Sequence, residues 1–75
     1  NPNLAIVYSV LGVANAFSGN SAEAVQQTKL ATQLSPRDSL LSIMYGLHGI
    51  ALFAAGDYEA SVDWGKRSIA HRPPV

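Results

Sequence analysis

The 75-residue sequence has no cysteine. That excludes a disulfide framework and a thiolate metal site, so packing alone must hold a chain this short. Charge is scarce as well: charged side chains make up 13%, against a usual share of about 25%. Five basic residues cancel five acidic ones. A neutral chain lacks the basic field that attracts nucleic acid or an anionic membrane surface, so neither is expected as a partner of this segment. Long hydrophobic runs are missing too. The most apolar stretches, Leu4 to Phe17 and Leu40 to Ala55, are interrupted by Ser9, Asn15, Ser42 and His48 and fall short of the roughly 20 residues that span a bilayer. The sequence opens on Asn1-Pro2-Asn3, with no basic stretch, apolar core and small-residue cleavage site in succession. It is read as an excerpt of a longer polypeptide with a cytoplasmic home. What remains is an apolar share of 48%, enough for one small core and too much for a disordered segment.

Sliding the chain over itself by 37 residues reveals a repeat. Leu4 aligns with Leu41, Ile6 with Ile43, Tyr8 with Tyr45, Gly12 with Gly49, Ala14 with Ala51, Gly19 with Gly56, Val25 with Val62, Lys29 with Lys66 and Pro36 with Pro73. These nine identities fall among the 38 overlapping pairs, where average residue usage yields roughly two or three. A period of this size points to an array of stacked units.

Each unit reads as two helices. Leu4, Val7, Tyr8, Leu11, Ala14 and Asn15 recur at spacings of three and four, which predicts one face of a first helix over about residues 4 to 18. Gly19 ends it, and Asn20 with Glu23 in capping-box spacing starts a second helix from about Ser21 to Leu34. Ser35-Pro36 stops that helix, because proline lacks the amide hydrogen. Asp38 or Ser39 is expected to cap a third helix over about residues 39 to 55. Gly56-Asp57 repeats the stop and cap before a fourth helix over about residues 58 to 71, which Pro73-Pro74 ends. No alternation of period two is present, so no sheet is expected.

These landmarks resemble the tetratricopeptide repeat, a helix-turn-helix unit with aromatic, glycine, alanine and proline positions at fixed offsets. In unit one, about residues 4 to 36, Tyr8, Leu11, Gly12, Gly19, Ala24, Ala31 and Pro36 fall on the family's positions. In unit two, about residues 39 to 73, Tyr45, Gly49, Gly56, Asp57, Tyr58, Ser68 and Pro73 do so. The resemblance covers essentially the whole chain. It implies an all-α, single-domain, right-handed α-α superhelix of four antiparallel helices. Gly12 opposite Ala24 would let the backbones approach while Tyr8 and Leu11 fill the space above and below. Asn15, Thr28, His48 and Gly65 depart from the pattern, and three extra residues between Pro36 and Tyr45 predict a third helix lengthened by most of a turn. The segments Ser35 to Asp38 and Phe53 to Tyr58, with Trp64, also look like the carboxy-terminal helical repeats of bacterial class III adenylate cyclases and winged-helix transcriptional regulators.

Catalytic chemistry does not assemble. His48 and His71 stand 23 residues apart, without a second ligand at helical spacing, so no metal site is expected. Among Tyr45, Leu47 and Leu52, His48 reads as a packed core histidine, and His71 as a complement to the negative helix end. Gly46, Gly49 and Gly56 follow no strand and read as close packing and a turn rather than a phosphate loop. Asp63, Lys66 and Arg67 read as a solvated salt-bridge face, and Trp64 as partly buried. The chain is therefore read as noncatalytic, without cofactor, metal or small-molecule substrate.

Residues 1 to 22 and 39 to 56 carry no charged side chain, so the first and third helices are apolar nearly all round. By the family resemblance these helices line a concave surface, here Ile6, Ser9, Val13, Ala16, Phe17, Ile43, Gly46, Ile50, Phe53 and Ala54. None of these is the lysine, arginine or asparagine with which family members clamp a terminal carboxylate. The expectation is a protein-protein interaction module binding a partner helix or segment, anchored by Ile6, Val13, Phe17, Ile50 and Phe53. The alternative gives the same face to two-fold homodimerisation of a larger bacterial signalling or transcription regulatory protein.

Overall fold

The computed structural model describes residues 2–34 and 40–71. Its regular structure is entirely helical: α1 Pro2–Phe17, α2 Ser21–Leu34, α3 Leu41–Ala54 and α4 Tyr58–Ala70. Proline in the first turn of α1 wastes no hydrogen bond, since that amide would be unpaired in any case. The bounds of α2 are those expected from sequence. In α3 the expected lengthening is absent: it has 14 residues against 16 in α1. The helix starts where burial starts, because Leu41 is covered while Leu40 before it is exposed. The proposed caps Asp38 and Ser39, and the stops at Ser35-Pro36 and Pro73-Pro74, lie outside the described residues.

Both helix pairs close their turns in the same way. Gly19 and Gly56 hold φ values of 88° and 86°, a left-handed conformation that other residues adopt only under strain. Around Gly19 the amide of Asn20 donates to Asn15 O at 2.8 Å and that of Gly19 to Ala16 O at 3.4 Å. Asp57 to Leu52 O at 2.9 Å and Gly56 to Phe53 O at 3.0 Å repeat the pattern, so the orphan carbonyls of α1 and α3 are satisfied alike. Asp57 then caps α4, its Oδ1 accepting from the Ala60 amide at 3.2 Å. Asn20 departs from the expected capping box. Its amide Nδ2 donates to Asn15 Oδ1 at 3.3 Å, and Asn15 Nδ2 donates on to Gln27 Oε1 at 2.6 Å. The polar residue at position 15 thus finds its partners along this ladder of side-chain amides.

Packing is that of two helix-turn-helix units. Among the described residues α1 packs on α2 and α3 on α4, while α3 also lies against α2 and α1. Ala5, Ala31 and Met44 form the centre, with Tyr8 and Leu34 packed against it. The buried side of α1 is Ala5, Ser9 and Gly12, whereas Leu4, Val7, Leu11 and Ala14, from the face expected to pack, are exposed. Leu11 therefore does not fill the space at the helix crossing. The reason is the close approach at Gly12, where a Cβ would collide with Thr28 Cγ2 and stand 3.2 Å from Ala24 O. Only small side chains fit on that side.

The α3 and α4 pair makes the same close approach with hydroxyls. Ser42 Oγ donates to Ser68 O and Ser68 Oγ to Ser42 O, each at 2.6 Å, and Ser61 Oγ donates to Gly49 O at 2.7 Å. A shift of 37 places these serines on Ala5, Ala31 and Ala24, all fully buried in the first pair.

Candidate functional site

Among the described residues, apolar grooves lie on two sides of α3. The larger, of about 510 Å³, runs between α1 and α3 and brings together four expected residues, Ile6, Ser9, Val13 and Ile43. Val10, Met44 and Leu47 line it as well and were missed by sequence reasoning. A signal was available: Val10 and Leu47 lie one turn beyond Ile6 and Ile43 and are themselves partners at the 37-residue shift. The smaller groove, of about 330 Å³, lies between α3 and α4 and takes the other expected residues Gly46, Ile50 and Phe53, together with Gly49, Ser61 and Gly65. Phe17 lines neither and is 84% exposed near the end of α1. The expected concave set is thus divided, with α3 as the ridge between its parts.

Among the described residues, Ser9 is the only polar side chain lining the larger groove. It is 6% exposed, and its hydroxyl has no hydrogen-bond partner among the described residues. A buried, unpaired hydroxyl is destabilising until something bonds it.

His48 is packed, as its sequence neighbours suggested. Its ring is 2% exposed and Nδ1 stands 2.8 Å from Thr28 Oγ1. Thr28 has one hydroxyl proton, and Ala24 O, which can only accept, is also 2.8 Å from that oxygen. With the proton donated to Ala24, His48 Nδ1 carries a hydrogen and donates to Thr28. Burial pushes the His48 pKa below its ordinary 6.5, and the Lys29 ammonium pushes the same way. The ring bonds a hydroxyl and meets the Trp64 ring edge-on at 4.7 Å. Among the described residues, no three His, Cys, Asp or Glu side chains gather as a metal site.

Trp64 is half-buried and holds a small aromatic cluster. Tyr45 meets it edge-on at 5.2 Å, and the Arg67 guanidinium lies 4.4 Å from its ring centroid. This corrects the salt-bridge face expected of Asp63, Lys66 and Arg67: Arg67 covers the indole, because a guanidinium loses less hydration over a ring face than an ammonium does. His71 Nδ1 donates to Arg67 O at 2.9 Å, the helix-end contact expected of it.

No family model matches the chain, and no curated protein or solved structure matches it. Among the described residues no helix is long and apolar enough to cross a membrane.

Proposed function

We propose that this chain is a noncatalytic interaction module of the tetratricopeptide kind, acting in the cytoplasm as part of a bacterial regulatory protein. Its groove between α1 and α3 receives the apolar face of a partner helix. The observation that carries this reading is the groove itself, about 510 Å³ and, among the described residues, with Ser9 as its only polar side chain. Small-molecule sites combine apolar walls with several placed polar groups, whereas one hydroxyl suits a row of apolar side chains. Ile6 and Val10 on one wall, and Ile43 and Leu47 on the other, are each one turn apart. That spacing suits partner residues at i, i+4 and i+7. The Ser9 hydroxyl offers the incoming segment one hydrogen bond.

Fluorescence anisotropy with short labelled helical peptides carrying leucines at i, i+4 and i+7 tests the reading, with scrambled peptides as controls. Wild type binds the amphipathic set, and Ile43→Glu weakens binding at least tenfold, about 1.4 kcal/mol. Phe53→Glu, in the other groove, leaves it unchanged. Equal binding of scrambled peptides, or no loss in Ile43→Glu, rejects the groove. The two-fold homodimer remains the second reading, because an apolar groove can also be closed by its copy. A dimer that Ile43→Glu dissociates, without peptide binding, selects it.

A further inference from the structure

The 37-residue repeat gives the smaller groove a counterpart whose occupant is known. Gly46, Gly49, Ser61 and Gly65 in the second pair correspond to Ser9, Gly12, Ala24 and Thr28 in the first. All four of the latter are buried, and α3 packs over this surface of α1 and α2, with Met44 on Ala5 and Ala31 and His48 on Thr28. The groove between α3 and α4 is therefore the same seat without its helix.

The matching edge is exposed at the opposite end of the molecule. In α3 the inserted residues are Leu41, Met44 and His48, the last two 3% and 2% exposed. Their counterparts in α1 are Leu4, Val7 and Leu11, at 43%, 50% and 44%. No charge lies in residues 1 to 22 or in the residues lining the groove.

The polar details change together. Where His48 bonds Thr28 inside the chain, the open ends present Leu11 and Gly65, so neither needs a hydrogen-bond partner. Where Met44 covers Ala5 and Ala31, Val7 would cover Ser42 and Ser68, whose hydroxyl protons are already given to backbone carbonyls. Covering these positions strands no donor.

We infer that a second copy of this chain is the occupant: its α1 seats in the groove between α3 and α4 as α3 seats on α1 and α2. The contact is heterologous, head to tail, and leaves a free edge and a free groove on every assembly, so growth is open-ended. It does not use Ile43, the wall residue whose substitution tests the peptide groove, while Phe53, the control in that experiment, lines the seat used here, so the two proposals stand or fall separately.

Light scattering and far-UV circular dichroism over a concentration series test this on the 75-residue chain. Wild-type mass rises past that of two chains. Gly65→Glu places a charge on the groove floor, where a Cβ meets no atom within 4 Å, and Val7→Glu places one on the exposed edge. Each variant alone holds the single-chain mass with unchanged helicity. Mixed one to one they pair, since the first keeps an intact edge and the second an intact groove, and the mass stops at two chains. Ile43→Glu assembles like wild type. Should either variant lose helicity, Gly65→Lys and Leu11→Lys carry the same comparison. A helical wild type that stays at single-chain mass overturns the inference and leaves the groove to a helix of another kind. A mixture that fails to pair overturns the head-to-tail geometry.

Discussion

Ser42 and Ser68 hold each other's backbone: each hydroxyl donates to the other residue's carbonyl oxygen at 2.6 Å. The exchange ties helices whose contact residues are 26 positions apart in sequence. Their counterparts Ala5 and Ala31 lie at zero exposure under α3, where close packing suffices. The serines are only half-buried, and there the hydroxyls add directional bonds to a thinner apolar contact.

Ser68→Ala is expected to lower unfolding free energy by about 0.5–1.5 kcal/mol, the usual net worth of one such bond. The double variant Ser42→Ala/Ser68→Ala should lose less than the sum of its singles, because it recreates the alanine contact of the first pair. Urea denaturation of all four proteins measures the coupling; strict additivity would show that the two bonds act independently.

Two glycines should respond in opposite directions to alanine. At Gly12 the added methyl meets Thr28 and the Ala24 carbonyl, so Gly12→Ala is expected to destabilise by about 1–3 kcal/mol. At Gly65 the methyl meets nothing within 4 Å inside α4, so Gly65→Ala gains about 0.5–1 kcal/mol of helix propensity. Thermal midpoints in the reverse order would contradict the close crossing of α1 and α2.

His48 makes stability depend on pH. Its pKa in the folded chain lies below 6.5, so on acidification the unfolded chain binds the proton first. The His48 contribution is intact above about 6.5 and is lost as pH falls from there to the folded pKa. Urea midpoints of wild type should decline over that window more steeply than those of His48→Leu. Equal slopes would mean that the buried ring titrates as freely as an exposed one.

Arg67→Gln should cost about 0.5–1 kcal/mol and alter tryptophan emission, since the guanidinium covers the Trp64 ring. Asp63→Asn should stay within about 0.5 kcal/mol of wild type, as a surface change without a partner to lose. Equal losses in the two would restore a salt bridge between positions 63 and 67.

Features that rest on local chemistry were legible in the sequence. Gly19 and Gly56 occupy left-handed turns, Asp57 caps α4, and His71 bonds the last turn, each where residue type and spacing placed it. The buried face of α1 was not legible. That helix is apolar nearly all round, so periodicity favoured the large residues Leu4, Val7 and Leu11, while close approach selected Ala5, Ser9 and Gly12. Size, not hydrophobicity, carried the signal. The division of the concave set was hidden for a related reason: α3 has surroundings on three sides, and a list of apolar positions does not say which neighbour each one meets.

Among the described residues α4 touches α3 alone, whereas α3 is gripped by all three other helices. The molecule therefore has a loose end and a fixed one. Pulled from its carboxy-terminal side it should peel rather than shear, α4 leaving first while the other three helices stay together. Amide protons of α4 would exchange with solvent ahead of those of α3, and a protease would find its first cut there.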